Sequence, residues 1–472
     1  MPGSAAWHCR VTAPFIGAVA AFAPMFSLVS RNQLERTAKE SFGIAQALLG
    51  LADRCSKIFA ARRYSQRTNF RELLTIPLYV FGDDRQSCGN RVVHGASLAR
   101  PVHKSRLPRW RRCRYRGQSV HSVTVRDDLR ALVGYHSPQV DVRIRLNTNE
   151  APTPPPIAWR DAFAAELSRV EWHRYPDRSA SALRVAIAES HHVRPDQVFA
   201  ANGSNEVLQT LLLAYAGPGR CVATFEPTYQ LHGHIARLTG ATVIEGERAP
   251  DFGLDVAAAI GLITENRPAV TFLCSPNNPT GLVEPASNVA AVLAAAPGLL
   301  VVDEAYGQFA EWSALTMIDE STPLVVSRTF SKTWSMAASR LGYLVGPSWL
   351  VAELDKVALP YHLDAAKQIA GRLALQFTDE MDARVEQIVA ERDRVSAGLR
   401  ALDVDVFPSG ANFVLFRPCS HPAKHVWQAL LDRSILIRDC SGWPRLTNCL
   451  RVTIGTSDEN DEFLTAMAEV VQ

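Results

Sequence analysis

No two of the nine cysteines form a Cys-x-x-Cys pair, and the histidines are not spaced as metal ligands. These absences remove the sequence grounds for a metal centre, and the odd cysteine total fits free thiols in a reducing cytoplasm. Long uncharged runs are scarce. Residues 11–30 carry no charge and follow Arg10, like a signal peptide or membrane span, yet Pro14 and Pro24 with several Gly and Ala make a poor spanning helix. No membrane association is expected.

Acidic residues are what the first 123 positions lack most: 6 Asp and Glu stand against 20 Lys and Arg. That surplus of 14 positive charges leaves the remaining chain at −11 within a net charge of +3. Such a step in charge marks a boundary. The leader also lacks sustained apolar periodicity, so it reads as a basic extension, disordered or annexed by a mistaken start. Basic residues interleaved with aromatics, as in Arg109-Trp110-Arg111-Arg112, are compatible with nucleic acid, but no helix-turn-helix pattern precedes residue 100. No nucleic-acid partner is expected.

What remains is ordinary for a globular protein: 47% apolar and 21% charged residues over 472 positions, enough for two or three domains. Residues 142–146 alternate like a short strand, and a proline-rich connector follows. From about 199 to 345, short β-rich runs (Cys221–Phe225, Val270–Cys274, Leu299–Val302, Leu324–Val326) alternate with helical patterns. This predicts an α/β fold, a mostly parallel sheet between helices. Ligands in such folds bind beyond the carboxyl ends of the strands.

The residues at those ends carry the chemistry. Leu324–Val326 feeds Ser327-Arg328-Thr329-Phe330-Ser331-Lys332-Thr333-Trp334, and Arg340 follows. A lysine among small hydroxyls past a strand end suits attack on a carbonyl, as a Schiff base with pyridoxal 5′-phosphate requires; a surface lysine is the plainer alternative. Leu299–Val302 runs into Asp303-Glu304-Ala305-Tyr306. An acid there could bind a metal, form an ion pair, or keep a pyridine nitrogen protonated. Val270–Cys274 runs into Ser275–Gly281, where Asn278, like Tyr306, could donate to a ring oxygen.

Asn202-Gly203-Ser204-Asn205-Glu206 opens a helix, which suits a phosphate or a simple N-cap. Thr329, Ser331 and Arg340 would complete a phosphate cup. Tyr229 could stack on a ring or lie in the core. Arg438 and Arg451 each sit inside an apolar strand-like run, placed to grip two anionic groups or to form internal ion pairs.

Taken together, residues 124–472 resemble the class I/II, fold-type I pyridoxal-phosphate aminotransferases, and among them the histidinol-phosphate aminotransferases most. The matching segments include Arg145–Glu150, Arg174-Tyr175-Pro176-Asp177, Ala201–Glu206, Ser275–Gly281, Asp303–Tyr306, Ser331-Lys332, Arg340–Tyr343, Leu359–Leu363, Asn412-Phe413 and Leu450–Thr453. The resemblance implies an N-terminal arm over 124–165, a large cofactor domain over 166–360 and a small domain over 361–472. It implies Lys332 as the Schiff-base lysine, with Asp303, Asn278, Tyr306 and Tyr229 around the ring. Ser204, Asn205, Thr329, Ser331 and Arg340 would hold the phosphate. Tyr175 would reach the cofactor of a second subunit in a homodimer. Arg451, Arg438, Tyr135, Tyr361 and Asn149 would surround the substrate.

The implied reaction converts histidinol phosphate and 2-oxoglutarate to imidazole acetol phosphate and glutamate, in histidine biosynthesis. An aromatic or other amino-acid aminotransferase and a threonine-phosphate decarboxylase of the same fold are the alternatives. Departures from the family pattern fall at Ala151, Trp334, the pair Ala338-Ser339 and Asp364. The indole and the extra carboxylate are expected near the pocket.

Overall fold

The structure is a computed structural model and describes residues 124–130, 132–134 and 139–471. The expected basic extension 1–123 and Tyr135 lie outside the described residues. Every described element falls within one compact unit, Cys113–Gln472.

Among the described residues the strands and α-helices begin with β1 (Ile144–Leu146), α1 (Ile157–Leu167) and α2 (Ser181–Ser190). It then alternates: β2 (Val198–Ala201), α3 (Gly203–Tyr215), β3 (Cys221–Glu226), α4 (Leu231–Leu238), β4 (Thr242–Glu247), α5 (Val256–Asn266), β5 (Val270–Cys274), α6 (Ala286–Ala295) and β6 (Leu299–Asp303). After β7 (Leu324–Thr329) and β8 (Gly342–Val345) come α7 (Ser348–Val357), α8 (Ala365–Ala374) and the long α9 (Thr378–Arg400). The last elements are β9 (Val404–Val406), β10 (Phe413–Pro418), α10 (Ala423–Asp432), β11 (Ile435–Asp439), β12 (Leu450–Thr453) and α11 (Ser457–Val471).

Seven strands form one sheet in the order β2-β8-β7-β6-β5-β3-β4. All neighbours pair in parallel except β8, which runs antiparallel to β2 and β7. Every residue of β5, β6 and β7 is buried. Both faces of the sheet are covered, which explains the mainly apolar reading of these segments; Ser327, Arg328 and Thr329 at the end of β7 are buried polar residues. On one face Leu208, Leu211 and Leu212 of α3 pack with Phe272 and Val301. On the other, Ile263 of α5 and Val289 and Val292 of α6 pack with Leu300 and Val326. The expected α/β architecture is observed.

The second sheet, β1-β11-β12-β10-β9, joins the first described strand to the end of the chain. Its core sets Phe413, Phe416 and Val452 against Ile388 and Val395 of α9 and Phe463 and Met467 of α11. Among the described residues no helix is long and apolar enough to cross a membrane.

Candidate active site

A cavity of about 410 Å³ opens beyond the carboxyl ends of β5, β6 and β7 and is closed on its far side by residues of β11, β12 and the segment after β1. Its volume lies within the range of small-molecule sites. Lys332, Asp303, Asn278, Tyr306, Tyr229, Ser204, Asn205, Thr329, Ser331, Arg340, Arg438, Arg451 and Asn149 all line it. Residues spread over 300 positions thus converge because each sits just past a strand end or in a facing strand.

Lys332 lies three residues beyond β7, in a turn held by Phe330 N–H donating to Leu341 O at 3.0 Å and Met336 N–H to Phe330 O at 3.1 Å. Its amine donates to Thr148 O at 3.0 Å and stands 5.6 Å from the Tyr306 ring centre. Burial, reinforced by the Arg451 and Arg340 guanidiniums, lowers this amine from its ordinary range to about 7. Near neutral pH it is therefore partly unprotonated and nucleophilic.

Asp303 ends β6 with both carboxylate oxygens engaged. Oδ1 accepts from Ser327 Oγ at 3.0 Å and from Ala305 N–H at 3.1 Å, and Oδ2 lies 2.8 Å from His232 Nε2. His232 is fully buried, stacked on Phe272 with 4.5 Å between ring centres. The acid is thus held rigidly by an adjacent strand and a helix 71 residues upstream.

Tyr306 is buried, and its hydroxyl accepts from Asn149 Nδ2 at 2.8 Å, which leaves the phenolic proton for a ligand oxygen. Burial pushes that phenol well above its ordinary value, so it stays protonated. Asn149 is fixed in turn, its Oδ1 accepting from Thr453 Oγ1 at 3.0 Å. The Asn278 carboxamide oxygen accepts from Arg451 Nη1, so its NH2 is the free branch of the amide. The loop bearing Asn278 is locked by Asn277, which accepts from Thr228 Oγ1 and donates to Pro227 O and Thr280 Oγ1, each at 2.9 Å.

Opposite the acid, a cradle of donors surrounds the N-terminus of α3. Asn202, the residue before the helix, makes no side-chain cap; its Nδ2 donates to His362 O at 2.8 Å instead. The first N–H groups of α3 are therefore not taken by a cap, contrary to the simple N-cap reading. Thr329 Oγ1 and Ser331 Oγ lie 3.0 Å apart, and Arg340 Nη1 donates to Ser331 Oγ at 3.3 Å. Among the described residues Arg340 has no carboxylate partner within ion-pair distance, and a side chain at Gly203 would come within 2.9 Å of its Nη2. A guanidinium, hydroxyls and an uncapped helix start form an anion site suited to a phosphate-bearing ligand.

Three expectations fall elsewhere. Tyr361, expected at the substrate, does not line the cavity; it stacks on Tyr175, which was expected to reach a second subunit and not this cavity, with 4.5 Å between ring centres, and the two are 42% and 80% exposed. Asp364 is not beside the pocket but caps α8, accepting from Lys367 N–H at 2.9 Å. Trp334 turns into a core cluster against Phe330 and Met336 rather than into the cavity. The expected intrusion of an indole and an acid into the site is thus corrected: one packs inward from the lysine loop, the other is consumed by a helix start.

Other residues of the site were not anticipated. His232, outside the cavity lining, reaches Asp303 from α4, and Cys274, Glu150 and Trp443 are among the further lining residues, with the Arg438 guanidinium 5.7 Å from the Trp443 ring centre. Tyr229 lies in the turn before α4 and His232 in its first turn, and their rings meet edge to face with 5.3 Å between centres; neither His232 nor Trp443 carried a signal in the sequence.

Residues 142–467 match the family model described as aminotransferase class I and II. The histidinol-phosphate aminotransferase of Frankia casuarinae is 44% identical over 374 residues, 76% of this chain and 92% of that one. The histidinol-phosphate aminotransferase of Rhodococcus jostii is 45% identical over 362 residues, 74% and 94% of the two chains. Among solved structures, histidinol-phosphate aminotransferase from Sinorhizobium meliloti in complex with pyridoxal-5′-phosphate aligns with a TM-score of 0.65 at 23% identity, over 70% of this chain and 91% of that one. L-threonine-O-3-phosphate decarboxylase from Porphyromonas gingivalis aligns with a TM-score of 0.61 at 20% identity, over 69% and 98%.

Proposed function

The chain belongs to the class I and II aminotransferases, enzymes that work with pyridoxal 5′-phosphate, and we propose that it transfers the amino group of histidinol phosphate to 2-oxoglutarate. The products are imidazole acetol phosphate and glutamate, a step of histidine biosynthesis. The observation that carries this reading is the pairing of a catalytic lysine site with two arginines, Arg438 and Arg451, on the facing wall of the same cavity. One arginine would suffice for a lone carboxylate; two suit a donor whose anionic end is a phosphate.

The residues present fit the cofactor. The uncapped start of α3 with Ser204, Asn205, Thr329, Ser331 and Arg340 would hold its phosphate, and Asp303 its pyridine nitrogen. Tyr306 and Asn278 would donate to the ring oxygen, and Tyr229 would lie along the ring. When bound, the cofactor supplies an electron-accepting ring that makes the substrate α-proton acidic. Lys332 would be the amine that holds the cofactor and, when free of it, the base positioned to take the proton from the substrate Cα. Its amine, lowered to about 7, is matched to both tasks near neutral pH. Asp303, rigid between Ser327 and His232, keeps its charge aimed at one point throughout. Arg451, 5% exposed, orients the substrate from β12.

The exposed Tyr175–Tyr361 stack suits a homodimer in which Tyr175 enters a second copy's cofactor site. The five described cysteines are all free thiols, which supports a cytoplasmic enzyme.

The test is a donor panel on the full chain loaded with pyridoxal 5′-phosphate. Histidinol phosphate with 2-oxoglutarate should yield glutamate with the highest kcat/KM, above phenylalanine. Threonine phosphate should yield no carbon dioxide. Preference for phenylalanine, or decarboxylation, would replace this reading with one of its rivals.

A further inference from the structure

Among the described residues, Lys332, Arg340, Arg438 and Arg451 line the cavity with two acidic residues, Asp303 and Glu150, and Glu150 also borders a second hollow that it shares with Arg145. Asp303 already accepts from Ser327 and Ala305, lies against His232, and is assigned above to the pyridine nitrogen. Glu150 is different. Its carboxylate makes one loose ion pair, 3.7 Å to Arg145 Nη2, with the Glu150 side chain 43% exposed. That separation exceeds hydrogen-bond reach, so the carboxylate retains accepting capacity. Its backbone is nonetheless fixed: Asn149 is pinned to Tyr306 and Thr453, and Asn412 Nδ2 donates to the carbonyls of Asn149 at 3.2 Å and Glu150 at 3.5 Å. The charge of Glu150 also opposes that of Arg451 in setting the Lys332 amine, which places it near the reacting nitrogen.

An acceptor-only group at the wall of a cationic cavity selects among ligands. It repels a second anion, gains nothing from a plain aromatic ring, and favours a group that carries N–H. We propose that Glu150 is a specificity-determining residue, accepting an N–H from the nitrogen heterocycle of the amino donor while Arg438 and Arg451 take the anionic end. The inference rests on the donor reading above. An imidazole presents an N–H in either protonation state, and below about pH 6.5 it adds a charge that strengthens the contact. Threonine phosphate offers no such group, and phenylalanine offers neither it nor a phosphate.

The experiment compares wild type, Glu150→Gln and Glu150→Ala, as full chains loaded with pyridoxal 5′-phosphate. Single-turnover half-reactions are followed by the cofactor absorbance, with histidinol phosphate or glutamate as donor. The ratio of their kcat/KM values cancels any change common to both, such as an altered Lys332 amine. The expected result is a fall of about 10-fold or more in that ratio for both variants, carried by weaker saturation with histidinol phosphate. The wild-type ratio should rise from pH 8 to pH 6, and this rise should be lost in Glu150→Gln. A ratio unchanged within twofold in the isosteric Glu150→Gln, or a fall due solely to faster glutamate, overturns the inference while leaving the donor reading intact. Wild-type enzyme inactive on histidinol phosphate overturns the donor reading and this inference with it.

Discussion

Arg438 and Arg451 are directly opposite residues in the antiparallel pairing of β11 and β12, and both line the same cavity. Like charges placed opposite each other on adjacent strands oppose pairing, and the Arg451 guanidinium is met by neutral oxygens, those of Asn278 and Asn147. A bound anion relieves that repulsion. Arg438→Leu should therefore raise KM for a phosphorylated donor by roughly 10- to 100-fold. Steady-state kinetics check this; an unchanged KM removes Arg438 from the substrate site.

The Lys332 amine is lowered to about 7, chiefly by burial. Below that pH the folded chain must hold a desolvated cation, whereas the unfolded chain holds the same charge in water up to about pH 10.4. Between the two values the unfolded state binds more protons, so stability rises with pH and the cost of the buried charge fades. Lys332→Met should abolish turnover and stabilise the cofactor-free protein most at pH 6, with a smaller gain at pH 9. Urea unfolding at both pH values measures this, and an equal gain at each would contradict the lowered amine.

Gly342 in β8 pairs with Ala201 and Thr329, and a side chain there would meet Ser204 N at 2.2 Å and the Gly203 carbonyl carbon at 2.5 Å. Both are backbone atoms of the first turn of α3, so neither can swing aside. Gly342→Ala should cost about 1–3 kcal/mol of stability and weaken cofactor binding by about 10-fold or more. Denaturant melts and titration with pyridoxal 5′-phosphate test it; unchanged cofactor affinity would mean that the helix start does not hold the phosphate.

Asp364 accepts from Lys367 N–H at the start of α8 and lies outside the cavity. Asp364→Ala should cost about 1 kcal/mol of stability through the lost cap and leave KM for every donor within twofold. A changed substrate preference in this variant would bring the acid back to the pocket.

Much of the site was legible because its chemistry is local in sequence. A fully buried parallel strand reads as a mainly apolar run, and the polar residues that end or follow it stand at the ligand end of the sheet, which places Asp303, Asn278 and Lys332 without coordinates. Glycine and small hydroxyls before α3 and after β7 likewise announce an anion site.

Side-chain direction across long separations was not legible. Nothing in the sequence tells that Asp303 is held by His232, that Trp334 turns inward to the core, or that Asp364 closes its own helix. The same holds for the opposition of Arg438 to Arg451 and for the exposure of the Tyr175–Tyr361 stack. Strand ends and loop chemistry come from short-range periodicity and backbone preference, and the amino-acid order alone determined those. Which groups then face one another depends on strand register and helix packing, set by burial of the whole core, and only the tertiary structure decided that.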